Sequence, residues 1–134
     1  MKRGKSISIL NKAKKLYVVI DDKEKVLYML IRAKDNEIAI KLNVKEVVRL
    51  SKCIVSIWID DFKNTKRIDI EDSRDRIELN HVIYKKRELC KIELFKYIGH
   101  YKMEAEYYYD KVTLDKEGSR ELFSVLVDYG SSIA

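Results

Sequence analysis

Residues 37–50, EIAIKLNVKEVVRL, decide the fold. The first six alternate: Ile38, Ile40 and Leu42 share one face, Ala39 and Lys41 the other, which is the period of a half-buried strand. Asn43 then stands where a helix cap belongs, with Glu46 three residues on in capping-box spacing. Val47, Leu50, Ile54 and Ile57 follow at helical spacing. The same succession returns in residues 110–123, DKVTLDKEGSRELF. Leu114 repeats Leu42, Asp115 repeats Asn43, Leu122 repeats Leu50, Leu126 repeats Ile54 and Tyr129 repeats Ile57, each 72 residues later; Ile133 extends the second stripe. A repeat kept in register constrains the whole architecture. Gly118 weakens the first turn of the second helix by about 1 kcal/mol relative to Ala.

Working outward, residues 5–11, 15–21, 25–33 and 37–42 alternate between polar turns and predict four strands before the first helix. Strands are predicted again at 67–71, 76–85, 90–98 and 102–114, with a turn at Gly99–His100 and a break at Asp110–Lys111. At least two rings of Tyr107–Tyr108–Tyr109 are expected in the core, because alternate residues share a face. Residues 53–59, CIVSIWI, read either as the buried second half of a helix 44–62 or as a separate strand. The matching span of the second copy is helical, which favours a helix ending near Asp60–Asp61. The fold class is therefore α+β: two tandem units, each a four-stranded antiparallel sheet plus a helix, at about 5–62 and 66–133. With no Pro/Gly/Ser-rich linker between them, the units should share one core in a single domain, 1–134.

The chain has 134 residues, 46% of them apolar, enough for a sizeable core. No apolar run reaches the ~18 residues that would span a bilayer. The start, MKRGKSISIL, lacks a long apolar region and a small-residue cleavage site, so a cytoplasmic location is expected. Charged residues make up 37%, with no Pro and no Gln, a composition that points to a thermophilic source. Cys53 and Cys90 lack metal-ligand spacing and read as free, buried thiols, with a disulfide of the kind found in some hyperthermophile cytosols as the alternative. The net charge is +6, and residues 1–15 hold six bases (Lys2, Arg3, Lys5, Lys12, Lys14 and Lys15) without an acid, while the rest balances 22 bases against 22 acids. Such an arm favours polyanions; its bland reading is a solubilising terminus.

Two four-strand-plus-helix units, with the junctions EIAIKLNVKEVVRL and DKVTLDKEGSRELF, resemble the PC4-like/Whirly superfamily of single-stranded nucleic-acid-binding proteins. The resemblance covers the topology of nearly the whole chain. It implies sheets that carry the nucleic acid, helices that pack the sheets and support oligomers, and a thermophilic archaeal or viral source.

The residues themselves point the same way. The outer face of the first sheet would carry Lys15, Tyr17, Tyr28, Arg32 and Lys41, cations for phosphates and rings for splayed bases. The bland alternative is a cross-strand pair of Tyr17 and Tyr28. Lys12 and Lys14 of the basic arm adjoin this face. The second sheet reads as a poorer surface, since Glu93, Glu104 and Glu106 repel phosphate. Its basic-aromatic clusters, Tyr84–Lys85–Lys86–Arg87 and Lys96–Tyr97 through Tyr101–Lys102, nominate Lys86, Tyr101 and Lys102 as extensions of a groove, or else as solvated turns. Trp58 sits in the most apolar segment and fits a core or a homo-oligomer contact through helix 44–62.

No catalytic residue, metal ligand or cofactor site is nominated. His81 and His100 lack partners at zinc spacing, and Asp60–Asp61 with Asp69, Glu71 and Asp72 read as turn carboxylates before a two-metal site. No Gly-rich phosphate loop is present. The leading expectation is a non-enzymatic binder of single-stranded DNA, ahead of RNA, with little sequence specificity. The alternative is a protein-interaction or assembly module of a virus or mobile element that uses the apolar helix.

Overall fold

The computed structural model describes residues 2–59 and 65–133. The first unit runs β1 (Lys2–Ile7), β2 (Lys15–Asp21), β3 (Val26–Ala33), β4 (Asn36–Leu42) and α1 (Val44–Ile59). The second repeats it with β5 (Lys66–Asp69), β6 (Arg76–Tyr84), β7 (Arg87–Tyr101), β8 (Glu104–Leu114) and α2 (Lys116–Ile133). Each sheet is an antiparallel meander, β1-β2-β3-β4 and β5-β6-β7-β8. The α+β class and the tandem sheet-plus-helix layout are thus as the repeat predicts. Cys53–Ile59 is helical; Asp60–Asp61, where the helix was expected to end, lies outside the described residues.

One apolar core serves both units. The inner face of the first sheet (Leu16, Val18, Leu27, Met29, Ile31, Ile40) and of the second (Ile77, Leu79, Ile92, Leu94, Val112) are sealed in a single cluster. Val47, Leu50, Ile54 and Ile57 of α1 and Leu122, Leu126 and Tyr129 of α2 complete it. The helices run in opposite directions. Val48, early in α1, lies 3.7 Å from the Cβ position of Gly130, late in α2, while Ile54 and Trp58 share a groove with Ser119 and Phe123.

The two helix starts show why the repeat is imperfect. Asn43 Oδ1 accepts from Glu46 N at 2.8 Å and Glu46 Oε1 accepts from Asn43 N at 3.0 Å, the expected capping box. Glu46 is buried, and its Oε2 accepts from the backbone N of Glu71 at 2.9 Å, tying α1 to the second unit. In α2, Asp115 Oδ1 accepts from Gly118 N at 2.9 Å, but the box glutamate is replaced by that glycine. The reason is steric: a Cβ on Gly118 would stand 2.2 Å from the carbonyl oxygen of Ser8. Each helix start therefore meets the end of the first strand of the opposite unit, once through a carboxylate and once through an absent side chain.

The first strand spans Lys2–Ile7, not 5–11. Residues 8–14 instead lie along β8, where Leu10 N donates to Thr113 O at 2.9 Å and Thr113 N donates to Asn11 Oδ1 at 2.8 Å. Lys14 Nζ donates to Asp110 Oδ1 at 2.5 Å and to Lys111 O at 3.1 Å. Loop polar groups thus close the 110–113 stretch of the outer edge of β8, which would otherwise be open for pairing. β8 runs unbroken through Asp110–Lys111. β7 also continues through Gly99–His100; Gly99, at φ 140°, sits at a bulge opposite β8, and the chain turns at Lys102 and Met103 (φ 48° and 71°).

Gly118→Ala is expected to lower stability by about 1–3 kcal/mol, since the backbone of Ser8 cannot yield as a side chain would. Gly130→Ala, in ordinary contact with Val48, is expected to raise it by up to about 1 kcal/mol. Thermal denaturation of the two variants measures both. Burial pushes the Cys90 thiol up to about 12 and raises the half-buried Cys53 as well. A thiol reagent at mildly alkaline pH should therefore label Cys53 first and reach Cys90 only on unfolding, which mass spectrometry of timed samples would resolve.

Candidate nucleic-acid interface

With both inner faces packed into the core, the exposed side chains lie mainly on the two outer faces, the turns and the helix surface, apart from a cleft of about 400 Å³ between β1–β2 and α2 lined by Arg3, Lys5, Ile20 and Asp128. On the first sheet the register sets Ser6, Tyr17, Leu30 and Ala39 in one row and Gly4, Val19, Tyr28 and Lys41 in the next. Tyr17 and Tyr28 are half-buried on the outer face and lie diagonally, so the register does not give the alternative reading of a directly opposed cross-strand pair. Lys15 faces Arg32 at one end, and Lys41 faces Tyr28. The Arg32 guanidinium stands 5.2 Å over the Tyr17 ring and donates to Glu37 at 2.8 Å. That hydrogen bond to Glu37 raises the pKa of Arg32. The face offers two rings on a small apolar floor, with cations at its margins.

The other nominated residues separate. Lys12 is exposed on the 8–14 loop. Lys14 is committed to Asp110 and helps join the units. Lys86 occupies the β6–β7 turn, beside Lys85 with both at positive φ. Tyr101 and Lys102 lie at the β7–β8 turn, with the Lys102 ammonium 5.4 Å over the Tyr101 ring. Successive turns of a meander fall at opposite ends of the sheet, so Lys86 lies at the far end of the second sheet from Tyr101 and Lys102.

The second sheet carries the larger array. The β7–β8 register brings Phe95 opposite Tyr109 and Tyr97 opposite Tyr107 on the outer face. Phe95 stacks on Tyr109 with centroids 5.6 Å apart and planes 18° apart, and Tyr107 meets Phe95 and Tyr97 edge-on at 6.2 and 5.8 Å. His100 continues the row 5.4 Å from Tyr97, its Nδ1 hydrogen-bonded with the Tyr97 hydroxyl. Guanidinium groups lie on the rings: Arg76 is 4.2 Å from Phe95 and 5.0 Å from Tyr107, and Arg74 is 5.4 Å from Tyr97. Contrary to expectation, none of Tyr107, Tyr108 and Tyr109 is core; Tyr108 and Tyr109 are 65% and 57% exposed. The strands outrun the sheet here, since β6 begins at Arg76, opposite Phe95, and gives the outer strands no third neighbour beyond it.

Charge is arranged to suit. Glu104 and Glu106 alternate with Ala105 and Tyr107, so they occupy the reverse face of the hairpin with Tyr108. Glu93, Glu78 and Asp69 share the aromatic face, but each is paired along its own strand: Lys91–Glu93 at 3.2 Å, Arg76–Glu78 at 2.9 Å and Arg67–Asp69 at 2.9 Å. Arg74 and Lys111 remain exposed.

One buried carboxylate holds this region. Asp75, 1% exposed, accepts from Tyr97 N at 2.8 Å and from Lys96 Nζ at 3.1 Å, while its own carbonyl accepts from Ile70 N at 2.8 Å. The usable signal for this site lay in the sequence. Rings at 95 and 97 and again at 107 and 109 share a face once the turn is placed at Lys102–Met103. Gly99 drew the predicted turn three residues early and hid that pairing.

Among the described residues no cluster of His, Cys, Asp and Glu has the geometry to hold a metal ion, and no helix is long and apolar enough to cross a membrane. His81 lies 3.4 Å from Glu88 on β7. No family model matches the chain, and no curated protein matches it.

Asp75→Ala removes two acceptor contacts from buried or half-buried donors and is expected to cost about 1–3 kcal/mol. Amide exchange at Tyr97 should accelerate more than exchange in β2 or β3, as two-dimensional NMR would reveal.

Proposed function

We propose that this protein binds single-stranded nucleic acid, DNA before RNA, with little sequence specificity and without catalysing a reaction. The observation that carries the proposal is the outward aromatic row Phe95–Tyr109–Tyr107–Tyr97–His100, flanked by Arg74 and Arg76. Rings at this spacing on a rigid sheet stack successive bases whatever their identity, and cations beside them neutralise phosphates. The first sheet, with Tyr17, Tyr28, Lys15, Arg32 and Lys41, is a second and smaller platform of the same chemistry. Lys12 and the basic strand β1 add long-range attraction. A PC4-like/Whirly relationship belongs to this proposal, since its two sheet-plus-helix units supply the layout of that superfamily. A cytoplasmic location and a thermophilic archaeal or viral source stand on the same footing.

A second reading has its own observation. A groove of about 180 Å³ between α1 and α2 is lined by Ile54, Val55, Trp58, Ile59 and Phe123, with Lys116 and Arg120 at its rim. Ile59 is 73% exposed, and the buried indole N–H of Trp58 meets no acceptor among the described residues. Self-association or a protein partner at this groove would cover Ile59; Val55→Asp should then dissociate the assembly in light scattering.

Fluorescence anisotropy with a labelled oligothymidylate tests the first reading. Affinity is expected to fall steeply with salt, with a log–log slope of about −0.7 per phosphate contact. Tyr97→Ala and Tyr107→Ala should each weaken binding by about 1–3 kcal/mol. Tyr17→Ala together with Tyr28→Ala measures the share of the first sheet. Absence of salt-sensitive binding at low ionic strength would end this reading.

A further inference from the structure

We propose that the tip of the β7–β8 hairpin is a wedge that opens base pairs where a single strand runs into a duplex; the proposal rests on the single-strand reading above. Beyond the Arg76–Phe95 pairing, Lys96–Tyr101 and Glu104–Tyr108 pair only with each other among the described residues, so the hairpin projects as a two-stranded ribbon. The aromatic row runs along one face of that ribbon from Phe95 to His100, and Ala105, opposite His100, continues the same face. The carboxylates of Glu104 and Glu106 lie on the other face. A strand stacked along the rings therefore meets no acid before it reaches the tip.

The tip itself is apolar where a turn is normally polar. Met103 is 96% exposed, and Tyr101 beside it is also exposed. Both central residues of the turn have positive φ, which glycine or asparagine adopts most readily. Among the described non-glycine residues with positive φ, the others are all Lys or Arg (Lys25, Arg74, Lys85, Lys86, Lys102), and Met103 alone is apolar. The β6–β7 turn, also with positive φ at both central residues, carries Lys85 and Lys86 there beside an exposed Tyr84, so the apolar central residue is what sets the β7–β8 tip apart. An unbranched apolar side chain held in open solvent at a ribbon end has the chemistry of residues that insert between base steps and unstack them. Lys102 supplies a phosphate contact beside it. Insertion also needs a support that does not bend away, and Asp75 anchors the ribbon root at Tyr97 N and Lys96 Nζ.

The test uses the full chain, a labelled oligothymidylate, and a forked DNA carrying a single-stranded thymidine tail with a fluorophore pair across its junction. The wild-type protein should bind both and separate the junction pair. Met103→Gly should bind the oligothymidylate within about twofold of wild type yet open the fork at least about tenfold less. Glycine suits the backbone at position 103, so loss of opening cannot be put down to a broken turn; thermal denaturation confirms that the variant folds. Fork opening undiminished in the variant, or a wild-type protein that binds the oligothymidylate but leaves the fork paired, overturns the wedge and leaves the single-strand reading standing. Failure to bind either substrate overturns both.

Discussion

Two sheets that can each bury only one face, closed over an antiparallel pair of helices, form the constraint on which everything else depends. Four short strands and one amphipathic helix offer little depth of core on their own. Here Leu50 and Ile57 of one unit and Leu122 and Tyr129 of the other fill a common interior with both sheets. The contacts at the helix starts are reciprocal for the same reason. Glu46 reaches Glu71, and Gly118 makes room for Ser8. Because the inner faces are fully consumed by this packing, the outer faces are free to carry rings and cations without loss of core.

The strand–cap–helix junctions were legible because three local signals agree there: period-two alternation, an Asn or Asp cap, and a helical stripe. The helix through Cys53–Ile59 was readable only by comparison with the second copy, since β-branched residues of that span suit either state. Less legible were features set by distant partners. Residues 8–11 alternate like a strand, yet Leu10 and Asn11 bond Thr113, about a hundred positions away in sequence. Lys14 reads as one of several free cations, and only the fold reveals Asp110 beside it. The missing capping glutamate at Gly118 likewise makes sense only with the Ser8 carbonyl in view.

The aromatic face shows how a small error in a turn propagates. Gly99 is a bulge residue, but glycine followed by histidine resembles a turn by composition. Moving the turn to Lys102–Met103 pairs four rings across two strands and sends Glu104 and Glu106 to the back. The acids that remain on the front are matched by bases two positions away in their own strands, a spacing visible in the sequence as Arg67–Asp69, Arg76–Glu78 and Lys91–Glu93. Arg76 is the pivot of this surface. It is ion-paired with Glu78 and laid against Phe95 and Tyr107, so it orients the rings as well as charging them.

The loop that seals β8 has a consequence for how the chain is made. The strand edge that residues 10–14 cover is translated roughly a hundred residues after them. The first sheet must therefore wait, with its greasy side and a free loop, until β8 has been made. The first unit cannot close on its own during synthesis, and α2, which is made after β8, locks both units at once.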